Sequence, residues 1–227
     1  MGLLESVERI YHRFAAYPCP ANLWVCEQCG PEWSTEDIRA LPLRSVSSLP
    51  QLVAVHVMSL DVDGLRHFFP RLMELMLQKP SPVFDFRLAD LKDRLRGWRP
   101  EEVGCVRDLA DAFWAELLVG YPPALGYFSD CPSALDLLDW CELPLVKYLG
   151  LLLTVDGLPA ARHVADLIDA VFTMREPFES ASKSTVSEWI TDPSVGERLQ
   201  AAFFTAPIEE AAWQLSAAHE LWTVCAR

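Results

Sequence analysis

Positive charge and glycine are both scarce in this sequence. Lys and Arg number 19 against 32 Asp and Glu, leaving a formal charge of -13 on 227 residues. A surface that follows a phosphate backbone needs clustered cations, so the charge argues against nucleic acid as a partner. The densest basic stretch, Arg87 to Arg99, is flanked by Asp85 and broken by Asp90 and Asp93, the pattern of a solvated helix face. Only ten glycines occur, and none sits in a phosphate-cradling loop, a dinucleotide fingerprint or a nucleophile elbow. His219-Glu220 lacks the second histidine that a zinc-protease helix requires.

Long apolar runs are also missing. The longest, LGLLLTV from Leu149 to Val155, falls far short of the roughly 20 residues that span a bilayer, which excludes a membrane-crossing segment. The opening MGLLESVERIYHRF carries charges throughout and lacks the basic start and apolar run of an export signal. The expectation is therefore a cytoplasmic protein. Its seven cysteines, an odd number, are then reduced thiols rather than a disulfide framework.

What the chain does have is apolar content, 51% of residues, enough to bury a core, and a helical rhythm. Leu3, Leu4, Val7, Ile10, Tyr11 and Phe14 share one face of a first helix. Ser34-Thr35-Glu36-Asp37 reads as the capped start of a second, which Pro42 stops. Two helices are expected over Leu49 to Leu60 and Val62 to Gln78, with Pro70 kinking or restarting the latter. Apolar stripes follow at Leu88, Leu91, Leu95 and Trp98, and at Val106, Leu109, Ala110, Phe113, Trp114 and Leu117. Further helices are expected at Ser133 to Glu142 and beyond Pro144 through Leu153. The same pattern recurs at Val164 to Phe172, at Leu199, Ala202 and Phe203, and at Ile208, Ala211, Ala212, Leu215 and Trp222.

No segment alternates as a strand; the β-branched cluster Val53 to Val57 suits a buried helix equally well. The predicted fold class is all-α, an antiparallel helix bundle or an irregular helical-repeat-like stack without a strict period. The main body is expected over residues 1–175, with a Cys-rich loop at 18–33. A C-terminal helical pair over 186–227 packs on it as part of one continuous domain, after the linker-like stretch Glu176 to Thr185.

Two constellations could carry chemistry. Cys19, Cys26 and Cys29 have the spacing C-x6-C-x2-C, in which two thiolates from one tight turn can share a tetrahedral zinc. The fourth ligand would be His12, or Cys105, Cys131, Cys141, His56 or His67 brought in by the fold. The alternative is no cofactor at all, the thiols serving as small buried hydrophobes beside Trp24 and Trp33. In the second constellation, Asp61, Asp63, Arg66, His67, Arg71 and Glu74 lie along one predicted helix, opposite Leu65, Phe68, Phe69, Leu72 and Met76. A histidine beside carboxylates and guanidinium groups can bind an anion or move a proton. The plainer reading makes Asp61 or Asp63 a helix cap and Arg71 a partner for a nearby acid. A calcium loop at Asp61-x-Asp63-Gly64 is excluded, since the later oxygen ligands are missing.

The succession YPCPANLWVCEQC, LPLRSV, DVDGLRHFFPRLMELM and GWRPEEVGCVRDLADAFW resembles a family of uncharacterised bacterial proteins. That family is built on a C-P-x-x-L-x-V-C-x-x-C loop and a D-x-D-x-x-R-H-F-x-P-R helix. Here Ser59-Leu60 and Gly64-Leu65 stand where the family carries an aromatic-Gly pair and an Asp-Phe pair. The resemblance links Cys19, Cys26, Cys29, Arg66, His67 and Arg71 as one pattern and implies that the cysteine loop packs on the Arg66-His67 helix. It implies no reaction.

With no catalytic signature, an acidic helical body suits occlusion of a basic protein surface. The expected function is a non-enzymatic protein-binding protein, an immunity-type inhibitor or adaptor. The alternatives are an enzyme working through His67 with Asp63, Arg66 or Arg71, and a structural scaffold with a zinc-stapled loop.

Overall fold

A computed structural model describes residues 2–28, 32–45, 60–78, 95, 97–174, 177–178, 181 and 183–225. Ten α-helices, one 3-10 turn and no strand occur among them, so the fold is all-α. None of the described helices is long and apolar enough to cross a membrane. Most of the expected Leu49 to Leu60 helix, the stripe at Leu88 and Leu91, and much of the Glu176 to Thr185 stretch lie outside the described residues.

The chain divides into two compact units, one of residues 1–112 with 125–127 and one of 113–124 with 128–227. In the first, α1 (Leu3–Phe14) packs on α3 (Val62–Gln78), burying Val7, Ile10 and Phe14. Leu4, expected on the core face, is exposed, because that face has already turned past it. α2 (Thr35–Ala40) starts with a reciprocal capping box between Ser34 and Asp37. α3 runs unbroken through Pro70, so the proline does not restart it. Phe69 meets Trp98 edge-on at 4.8 Å and Phe14 lies 5.1 Å from Trp98, making an aromatic knot. Gly126 has φ +64, and a Cβ there would stand 2.6 Å from the carbonyl carbon of Leu77; the close approach lets Tyr127 N donate to Met76 O at 2.7 Å.

Helix α4 (Pro100–Val119) starts in the first unit and ends in the second. Its predicted stripe, Val106 through Leu117, is buried throughout. The second unit contains α5 (Cys131–Trp140), α6 (Leu145–Thr154), α7 (Leu158–Thr173), α8 (Lys183–Ile190), α9 (Pro193–Thr205) and α10 (Glu209–Cys225). α7 touches all five of the others and is buried nearly all round through Ala160, Ala161, Val164, Leu167 and Ile168, as a central helix must be. Each fully buried Leu, Ile or Val stabilises by about 1.5–3 kcal/mol, so this helix anchors the unit. Asp130 and Asp192 cap α5 and α9 by accepting from Ser133 N and Ser194 N.

Candidate functional site

The polar residues of α3 separate into several local arrangements. Asp61 accepts from Gly64 N at 2.8 Å, the capping role. Asp63 is exposed and pairs with Arg66 at 2.9 Å. Arg66 itself is buried: it donates to Gly97 O at 2.7 Å, lies 3.2 Å from the Glu102 carboxylate and sits over the Tyr17 ring. Glu102 also accepts from the Tyr17 hydroxyl and from Arg99 N. Burial, and then the hydrogen bond to Glu102, raise the Tyr17 phenol.

One turn and more along, Arg71 donates to Glu74 at 2.5 Å and Tyr11 donates to the same oxygen at 2.6 Å. Arg44 lies over the Tyr11 ring and pairs with Glu8. Burial pulls the Glu74 carboxyl upward, but its bonds from Tyr11 and Arg71 and the nearby guanidinium charges hold it below the ordinary value. Tyr11 is raised, by burial first and then by its bond to Glu74. Arg66, Arg71 and Glu74 are thus bound by protein groups that tie α1, α3 and the start of α4 together.

His67 faces the Tyr17 carbonyl through Nδ1 at 2.8 Å. A carbonyl only accepts, so Nδ1 carries the proton. The contact holds the start of the cysteine loop against α3. Pro20 lies close enough to Gly64 that a Cβ there would stand 3.0 Å from its Cγ, and Arg39 donates to the Ala21 carbonyl. Within the candidate zinc set, Cys26 is buried, Cys19 half-buried and His12 exposed, and Cys29 lies outside the described residues. Burial raises the Cys19 thiol, against a smaller opposing pull from Arg39. Among the described residues no group of three or more His, Cys, Asp or Glu side chains converges as a metal site.

The second unit holds a polar network that no motif in the sequence announces. Tyr121 and Gln214 both donate to Asp166 Oδ1, at 2.9 and 2.7 Å, and Gln214 also donates to the Tyr121 hydroxyl at 2.8 Å. Arg162 donates to Gln214 at 2.5 Å and to Glu210 at 2.7 Å, and its guanidinium lies 3.9 Å over the Tyr121 ring. Burial pushes the Asp166 carboxyl up to about 6, with the charge of Asp130 adding and the bond from Tyr121 opposing. His163, fully buried beside it, bonds the Leu117 and Gly120 carbonyls through Nε2, and burial lowers its pKa. The available signal was Arg162, His163 and Asp166 inside a mostly apolar helix.

A cavity of about 380 Å³ between α7 and α10 opens onto Asp166, with Asp169, Trp213 and Gln214 in its wall. A smaller one of about 180 Å³ lies between α9 and α10, lined by Phe203, Phe204 and His219 among others. Around them large apolar side chains face solvent: Phe204 is 76%, Trp213 73% and Ile208 50% exposed. Phe203 and Ile208 belong to the predicted apolar faces, yet they fall at the end of α9 and just before α10, where the packed face has ended.

Comparison of the chain with protein-family models, with curated proteins and with solved structures returns no match.

Proposed function

We propose that this chain is a non-enzymatic protein-binding protein, an immunity-type inhibitor or adaptor that covers a basic patch on its partner. The observation that carries the reading is the set of exposed aromatic and aliphatic side chains on α9, on α10 and in the turn between them, Phe204, Trp213 and Ile208. Water-facing Trp and Phe side chains beside shallow cavities are the residues that supply most of the energy in protein interfaces. Glu209, Glu210, Asp169 and Glu220 share these helices or the facing one, and the chain as a whole carries -13. An apolar centre with an acidic surround favours a partner presenting apolar anchors among Lys and Arg, and it speeds their encounter.

The α3 polar residues are engaged by neighbouring protein groups, which favours a structural role for them over an acid-base one. The test is calorimetric titration of the purified chain with basic proteins encoded beside its gene. Trp213→Ala and Phe204→Ala should each weaken binding by about ten-fold or more without changing the melting temperature. Wild-type affinity in the double variant, or failure to bind any such product, removes the reading.

A further inference from the structure

We propose that the cavity between α7 and α10 receives a cationic side chain of the partner, an arginine guanidinium by preference. The inference rests on the protein-binding reading and names the group that the second unit would grip.

The cavity, about 380 Å³, falls at the small end of ligand pockets, which run from about 300 to 1,000 Å³. Its polar wall is made of Asp166, Asp169 and Gln214, its apolar wall of Trp213, Ala217 and Leu221. Among the described residues no Lys or Arg lines it; Arg162, the cation of the network, is held by Gln214 and Glu210 and lies over Tyr121. Asp166 and Asp169, three residues apart on α7, share one helix face. Trp213 offers an exposed indole from the facing helix. Carboxylates opposite an aromatic plane suit a planar delocalised cation, which can bond the acids through its edge and stack through its face.

The state of Asp166 points the same way. Both hydrogen bonds that it receives fall on Oδ1. Its other oxygen, Oδ2, has His163 Nδ1 at 3.9 Å, too far for a hydrogen bond. That Nδ1 is itself buried and unpartnered, and since Nε2 bonds two carbonyls and so carries the proton, it has none to offer. Oδ2 therefore has no hydrogen bond among the described residues, on a carboxylate whose side chain lines the cavity. A neutral donor could bond this oxygen but would leave its charge uncompensated, whereas a guanidinium supplies both the donor and the compensating charge.

The experiment is NMR titration of the isotope-labelled full chain with N-acetyl-argininamide and with its uncharged isostere N-acetyl-citrullinamide. The arginine probe should give saturable shifts at the Trp213 indole N–H and the amides of Asp166, Asp169 and Gln214. Asp169→Asn and Trp213→Ala, both at exposed positions, should each weaken it by about five-fold, and the citrulline probe should bind about ten-fold more weakly or not at all. Equal binding of the two probes, shifts confined to other surfaces, or no saturation at tens of millimolar would overturn the assignment. No partner enters this measurement, so its failure leaves protein binding standing. Loss of the partner interaction in Phe204→Ala but not in Asp169→Asn would likewise sink the cation pocket alone.

Discussion

The Arg66 guanidinium lies 3.2 Å from the Glu102 carboxylate, with their side chains only 10% and 2% exposed. This pair ties the N-terminal part of the fold's third helix to the start of the fourth. Removing one partner leaves the other charge buried and uncompensated, which costs about 3–5 kcal/mol. Arg66→Met and Glu102→Gln should each lower the urea midpoint strongly. The double variant should lose clearly less than the sum of the two, and an additive loss would show that the two side chains do not interact.

Gly196 supports an equally tight contact. A Cβ there would stand 2.5 Å from Trp222 Cη2, and the indole is tethered by its Nε1 donating to Ile190 O at 2.7 Å. Gly196→Ala should therefore destabilise by about 1–3 kcal/mol, even though Ala ordinarily favours helix. A second change, Trp222→Leu, should recover part of the loss by opening space. Thermal unfolding of the three variants decides the matter, and a more stable Gly196→Ala would contradict the packing.

Asp166 makes stability depend on pH in an uncommon direction for a carboxylate. Its folded value of about 6 lies above the unfolded value of about 3.9. The folded state thus holds the extra proton between these values, and stability falls as pH rises through that window. Above pH 6 the charged group costs at most about 3 kcal/mol, because each tenfold change in proton affinity is worth about 1.4 kcal/mol. Asn can still accept from Tyr121 and Gln214, so Asp166→Asn should raise the melting temperature at pH 7.5 and lose that advantage near pH 4. The same substitution should weaken the arginine probe, a carboxylate kept at a stability cost for the sake of binding. A variant no more stable than wild type at pH 7.5 would show that the group is not strained there.

The capping box of α2 offers a small, local test. Ser34 Oγ accepts from Asp37 N at 3.1 Å while Asp37 accepts from Ser34 N at 3.0 Å. Ser34→Ala should cost about 0.5–2 kcal/mol, and Ser34→Asp should restore most of it. Chemical denaturation gives both values; a neutral alanine would mean that α2 frays without consequence.

The local features were legible because local physics produces them. The spacing of Val106, Leu109, Phe113 and Leu117 marks a buried helical face whatever it packs against, and each is buried. Ser34 with Asp37, and Asp61 ahead of Gly64, announce caps through short-range hydrogen bonds. Absent charge clusters and absent long apolar runs likewise depend on the sequence alone.

Tertiary contact decided the rest. The stripe from Asp63 to Glu74 looks the same on paper whether it lines a pocket or braces a core. Glu102, Gly97 and the Tyr17 carbonyl, which engage Arg66 and His67, lie about 30 to 50 residues away along the chain. Tyr121, Asp166 and Gln214 are likewise far apart in sequence, and their meeting is what buries and raises the carboxyl. Phe203 and Ile208 carry the apolar character of core positions, and only the end of the packed face leaves them in water. Periodicity reports which side of a helix is oily; which neighbour arrives to cover it, or fails to, is a property of the folded chain.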